Sequence, residues 1–288
     1  MSIQWFPGHM TKALRMMQDN IALSDAVGYV LDARAPASSF NPELDKITGS
    51  KPCVYILNKC DLADDSKIKA WDEFFRSKGS LCVKVSATKL GDASRIASAF
   101  VEATASVSEK YRKKGIVRPV RVMILGIPNS GKSTIINCLA GKKSVITGDK
   151  PGVTKGKQWV RLSVGIELLD TPGTLWPKFD NQTVAYRLCF VGSIKDEVVD
   201  DLYDVSTNLL TQLKEQYPQL LKERYKLDSI DMDANQLHET IARKRGFVVR
   251  GGETDWERCS KAILDDFRKG RIGKITFELP DDIARLSK

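Results

Sequence analysis

Apolar residues are patterned in two ways along this chain of 288 residues, and the change comes near residue 178. Before it, short β-branched and aromatic runs at 27–32, 53–57, 81–85, 120–125 and 166–170 alternate with amphipathic stretches. Near-continuous apolar runs of this length predict buried parallel strands. The stretches 8–23, 64–78, 91–108 and 132–141 have helical spacing; the first puts Met10, Ala13, Leu14 and Met17 on one side. A first hairpin arm at 157–163, turning at Val164-Gly165, would lie antiparallel to the second, 166–170. Residues 106–118 read as a linker between two halves of the sheet. The expected class is α/β, a doubly wound, mainly parallel sheet. From about 180 the period becomes helical throughout, with candidates at 181–193, 195–216, 233–245 and 254–269. The last opens on Thr254-Asp-Trp-Glu257, a capping-box spacing, and closes near Gly270. The division is therefore 1–178 for the α/β domain and 179–288 for an all-α helical domain.

Charge changes this picture, because it is uneven. The net charge is +9, yet residues 1–178 hold 27 Lys and Arg against 16 Asp and Glu, and residues 179–288 hold 18 against 20. Within 110–157 there are 12 basic residues and one acid, Asp149. Lys110, Arg112, Lys113, Lys114, Arg118, Arg121, Lys142, Lys143, Lys150, Lys155 and Lys157 read as a basic collar facing a phosphate backbone. A solubilising face is the competing reading. Residues 243–274 carry 10 basic and 5 acidic side chains, a second candidate RNA face, although helix-end cations explain part of it. The start, MSIQWFPGHMTK, lacks the apolar core of a signal peptide, and no run reaches membrane-spanning length. Six cysteines without a Cys-x-x-Cys pair read as reduced thiols. Together these point to a cytoplasmic protein and away from disulfide scaffolds, zinc modules and membrane spans.

The chemistry lies at strand ends. Residues 126–133, GIPNSGKS, follow the run 120–125 at a strand-to-helix corner. In such a loop the N–H groups of Asn129, Ser130, Gly131 and Thr134 surround a polyphosphate. Lys132 reaches its terminal oxygens, and the Ser133 hydroxyl ligates Mg²⁺. Asn58-Lys59-Cys60-Asp61 follows the run 53–57. Its Asp61 carboxylate accepts from guanine N1–H and the exocyclic amine, a donor pair that adenine lacks. Lys59 covers the base and Asn58 braces the phosphate loop; an ordinary strand-end turn is the alternative. Ser86-Ala87, after the run 81–85, would offer a backbone N–H to guanine O6. Beyond the loop, Thr154 and, sixteen residues later, Asp170-Thr171-Pro172-Gly173 read as two switches. Thr154 and Asp170 would serve Mg²⁺, and the Gly173 N–H would sense a γ-phosphate. Base motif before phosphate loop is a circularly permuted order for a P-loop GTPase domain, with GTP as the nucleotide.

WFPGHM (5–10), DAR (32–34), NKCD, GIPNSGKS, PGVT (151–154) and DTPG (170–173) together resemble the ribosome biogenesis GTPase A family over essentially the whole chain. The resemblance implies a GTP-hydrolysing switch that binds the large ribosomal subunit precursor and its rRNA, promotes late assembly and leaves after hydrolysis. DNA and membranes are not expected as partners. A GTP-dependent RNA-binding module acting on another RNA or on the small subunit, with incidental hydrolysis, is the alternative. Position 174, where many GTPases have a water-orienting Gln, is Thr174. The family points instead to His9 as the water-positioning residue, against a His that merely caps the first helix. It also implies K⁺ bound by Asn129, against a turn-forming Asn. Arg34 is imaginable as an arginine finger. Turnover alone should be slow, since a group supplied in trans can contribute roughly 10³–10⁵-fold.

Overall fold

A computed structural model describes residues 3–87, 91–141, 158–162 and 165–283. One six-stranded sheet is built from β1 (Ala26–Asp32), β2 (Cys53–Asn58), β3 (Leu81–Lys84), β4 (Val120–Gly126), β5 (Gln158–Arg161) and β6 (Ile166–Asp170). The order is β3-β2-β1-β4-β6-β5, parallel except for β5, which runs antiparallel to β6. β1 and β4 are neighbours although 87 residues separate their ends, so the permuted chain closes the same sheet by a longer route. Around it lie α1 (Gly8–Ile21), α2 (Pro42–Thr48), α3 (Asp65–Ser77), α4 (Asp92–Ala103), α5 (Ala105–Lys113) and α6 (Lys132–Ala140).

Strand alternation sorts the core into two layers. Ala26 and Val30 of β1 pack with Phe100 of α4 and Ile135 of α6, while Val27, Tyr29 and Leu31 face Met17 of α1 and Trp71 of α3. β1 is buried along its whole length and β4 at every position but Arg121, which is why both read as near-continuous apolar runs.

The rest is helical: α7 (Gln182–Phe190), α8 (Leu202–Gln216), α9 (Pro218–Tyr225), α10 (Ala234–Lys244) and α11 (Trp256–Arg268). The helix predicted over 195–216 starts later, capped by Asp201, whose carboxylate accepts from Asp204 N. The expected cap of α11 moves one place: Asp255, not Thr254, accepts from the Arg258 amide. The linker expected over 106–118 is helical as far as Lys113.

The boundary at 178 is crossed in both directions. Ile3, Met10, Ala35, Ile127 and Leu175 belong to the same buried cluster as the helical bundle. After α11 the chain turns back and lies along the α/β domain. Ile275 N donates to Leu62 O (3.0 Å), Phe277 N to Arg34 O (2.8 Å) and Trp71 Nε1 to Glu278 O (3.0 Å). The Glu278 carboxylate, fully buried, accepts from Ser38 N (2.9 Å), from the Ser38 hydroxyl and from Arg187 (3.1 Å). Burial pushes that carboxyl above its usual range, and Arg187 and Ser38 oppose the shift.

Candidate functional site

The loop after β4 is shaped by positions that only certain residues tolerate. Asn129 adopts φ 57° and Gly131 φ 97°, both left-handed, so successive N–H groups turn inward toward the start of α6. A Cβ on Gly131 would collide with the Asn58 amide, which donates from Nδ2 to Ser130 O (2.8 Å). Asn58 also accepts from Ala87 N (3.1 Å) through Oδ1. One side chain thus ties the loop after β4 to the ends of both β2 and β3. Lys59, itself at φ 63°, donates to Asn129 O (2.7 Å).

Lys132, the first residue of α6, is 6% exposed and donates to Ile127 O (2.8 Å). Burial and the neighbouring Lys59 pull its ammonium down to about 8, against the opposing pull of Asp170. The Ser133 hydroxyl donates to Asp170 Oδ2 (3.2 Å) at the end of β6. Hydroxyl and carboxylate oxygens meeting at a phosphate loop are hard donors of the kind Mg²⁺ takes alongside phosphate oxygens. Thr154 lies outside the described residues, as do Lys142, Lys143, Lys150, Lys155 and Lys157. Thr134, in the first turn of α6, is half-buried.

Gly173 lies against the loop. A Cβ there would stand 2.5 Å from Pro128 Cα and 2.8 Å from Lys132 Nζ, so only glycine permits this approach. Immediately after it, Thr174 is buried, its carbonyl accepts from Asn41 Nδ2 (2.9 Å), and its hydroxyl has no hydrogen-bond partner among the described residues. Leu175 N donates to Met10 Sδ (3.4 Å). The segment 173–175 therefore passes under the start of α1 and into the helical bundle. His9, one residue from Met10, is exposed, with its ring edge-on to Trp5 at 6.4 Å between centroids. It does not cap α1: the cap is Pro7, and no side chain bonds there. The other histidine, His238, is a core group of the bundle, 3.0 Å from Ser206 Oγ and pushed by burial down to about 4.

On the base side, Asp61, in the turn after β2, is exposed. The Ser86 amide donates to Asp92 Oδ2 (2.7 Å) and the Ala87 amide to Asn58, so both expected O6 donors already have partners inside the protein. Sequence reasoning missed Asp32, an acid that ends a buried strand. It is 1% exposed and faces both Arg34 (2.8 Å) and Lys59 (2.9 Å). Burial pushes its carboxyl up, but the two cations more than reverse this and hold it well below the usual range. Arg34, 2% exposed and locked onto Asp32, has no freedom to serve as a finger.

Asn129 is also bound outward: its Nδ2 donates to Gly192 O (2.6 Å), while Ser193 Oγ donates to Pro128 O (2.8 Å). Both partners are in the turn after α7, so the phosphate loop touches the helical unit directly.

Among the described residues of the expected basic collar, Arg118 and Arg121 lie away from the phosphate loop. Arg118 and Arg121 stand at the start of β4, roughly 20 Å along the strand from the phosphate loop at ~3.3 Å per residue. Arg118 pairs with Asp25 (2.8 Å) and Arg121 with Glu167 (3.1 Å). Adjacency in sequence had merged opposite ends of one strand.

A family profile described as 50S ribosome-binding GTPase matches residues 121–236. A Bacillus cereus protein named Ribosome biogenesis GTPase A is 44% identical over 285 residues, spanning 99% of this chain and 96% of its own. The Thermotoga maritima protein of that name is 33% identical, over 98% and 96%. Among solved structures, GDP-bound TM YlqF superposes with a TM-score of 0.70 at 29% identity, covering 93% of this chain and all of that one. GNP-bound YlqF from T. maritima gives 0.65 at 30% identity, covering 94% and 99%.

Proposed function

Because this chain belongs to the ribosome biogenesis GTPase A family, and so is a GTP-hydrolysing enzyme of ribosome assembly, we propose that it binds the precursor of the large ribosomal subunit in its GTP state and leaves after hydrolysis. The carrying observation is the seat of Gly173 against Pro128 and Lys132, two residues before Leu175 enters the core of the helical bundle. A γ-phosphate bonded to the Gly173 N–H would fix that seat, and its loss would release it into a change of domain orientation. Contact with rRNA, a cytoplasmic location and the division of labour between 1–178 and 179–288 are part of this proposal. The absence, among the described residues, of any helix long and apolar enough to cross a membrane is compatible with it.

In this reading Asp61 reads guanine, Lys59 covers it, and the backbone near Ser86 and Ala87 completes the base pocket. The N–H groups of Ser130, Gly131 and Thr134 hold phosphate oxygens beside Lys132. Ser133, Asp170 and Thr154 would hold Mg²⁺, which neutralises phosphate charge when bound. His9 would position the attacking water once the particle orders the start of α1. The side-chain oxygen of Asn129, Oδ1, is not used in the bond to Gly192, so potassium activation stays in the proposal, and faster turnover in KCl than in NaCl is expected.

The test is co-sedimentation with large-subunit precursors. Binding should require a non-hydrolysable GTP analogue and weaken in GDP, and His9→Ala should bind but fail to be released. Equal retention in both nucleotide states, or retention on small-subunit particles instead, would favour the RNA-binding module with incidental hydrolysis.

A further inference from the structure

We propose that Arg34 is a positioning residue for the guanine base, one that links the base site to the C-terminal end of α11. This rests on reading Asn58, Lys59 and Asp61 as the base motif. The Asp32 carboxylate is filled with donors: Arg34 N (3.1 Å) and Nε (2.9 Å) on Oδ1, Arg34 Nη2 (2.8 Å) and Lys59 Nζ (2.9 Å) on Oδ2. Its orientation is therefore set mainly by Arg34, and it in turn supplies an anchor of the Lys59 ammonium. Asn129 O in the phosphate loop is another (2.7 Å). A lysine stem can cover a base in one place only if its head is held, and a side chain of this length otherwise keeps much of its rotamer freedom.

The remaining donor of Arg34, Nη1, goes to Arg268 O (3.2 Å), the last carbonyl of α11. Terminal carbonyls of a helix lack intrahelical partners and carry partial negative charge, so a cation there is favoured. The guanidinium also lies 5.1 Å from the Phe267 ring, and the Arg34 carbonyl accepts from Phe277 N. The helical unit thus grips Arg34 by backbone and side chain, while Arg34 orients the group that holds Lys59. A buried ion pair contributes little net stability as such. The use of this one is to make the base site and the α11 docking share a residue.

The test measures dissociation constants of GDP and of inorganic triphosphate, each with magnesium, for the full chain. Arg34→Met should weaken GDP about tenfold, the scale of one charge-assisted bond, and leave triphosphate unchanged within twofold. Combined with Lys59→Met it should add almost nothing beyond the lysine variant alone. Arg34→Lys, unable to form the fork, should recover only part of the affinity. Asp32→Asn keeps the shape of the site and should reproduce the pattern if Arg34→Met does not fold. Equal losses for GDP and triphosphate, additive losses in the double variant, or no loss in either variant would overturn the proposal. Asp61→Asn separates the premise: if it leaves guanine preferred over xanthine, the base-site reading fails independently.

Discussion

The two ends of the sheet hold similar clusters that do different work. At the carboxyl end of β1, Asp32 binds Arg34 and Lys59, and both cations lead on to other elements, one to α11 and one to the phosphate loop. At the amino end, Asp25 accepts from Arg118 (2.8 Å), Tyr111 (2.8 Å) and the Arg121 amide (2.9 Å), and every bond closes back on the same corner. The first cluster couples units; the second staples α5 to β1 where the permuted chain must be joined. Loops at the carboxyl ends of parallel strands converge on one crevice, which is why an ion pair there acquires partners with chemistry.

Breaking the strap that holds the helical unit over the carboxyl end should give the largest effect. Glu278→Ala would leave Arg187 buried with only Gln212 Oε1 (3.1 Å) and the Ser38 amide without its acceptor. Removing one partner of a buried pair costs about 3–5 kcal/mol, read as a lowered urea midpoint. Unchanged stability would mean that the tail contributes nothing to docking.

Lys132→Met comes next. It removes an ammonium buried beside the loop and should weaken GTP on the order of 100-fold, judged by direct titration. The comparison sharpens with pH. The free protein holds this ammonium at about 8, and a polyphosphate favours its charged form, so the bound state keeps its proton to higher pH. Affinity should be flat near pH 7 and fall above pH 8 by up to about tenfold per unit, with proton uptake visible calorimetrically in buffers of different ionisation enthalpy. Affinity that rises above pH 8 would reverse the assignment.

A smaller effect is expected of Gly173→Ala. Its methyl cannot fit against Pro128, so the second switch must stand off, at a cost of about 1–3 kcal/mol. That cost should appear as lost preference for GTP over GDP, with GDP affinity kept.

What the sequence made legible follows the same division. β1, β2, β4 and β6 are short apolar runs ending in motif residues, so the permuted order could be foreseen. Three things had no local signal. The tail at 274–279 docks in an irregular path with no period, so its hold on Leu62, Arg34 and Trp71 exists only in three dimensions. The eight-residue α9 begins at Pro218, directly after α8, and is too short for a helical period to stand out. Arg34 and Arg118 look equally free in sequence; burial distinguishes them, and burial is a property of the assembled sheet.

The smallest effect is predicted at the amino end, and it decides whether the two clusters differ as argued. Arg118 stacks over Tyr111 (4.0 Å from the ring centroid) and pairs with Asp25, which is 7% exposed at its side chain. Arg118→Met keeps the stem that covers Tyr111, and Asp25 keeps the Tyr111 hydroxyl and the Arg121 amide as donors. GDP, GTP and triphosphate affinities should therefore change less than about twofold, because no bond of this corner reaches the carboxyl-end loops. A loss comparable to that of Arg34→Met would show that charge anywhere along β1 tunes the site. The coupling would then be a long-range field of the cationic domain, and the contacts that run through Asp32 would lose their special place.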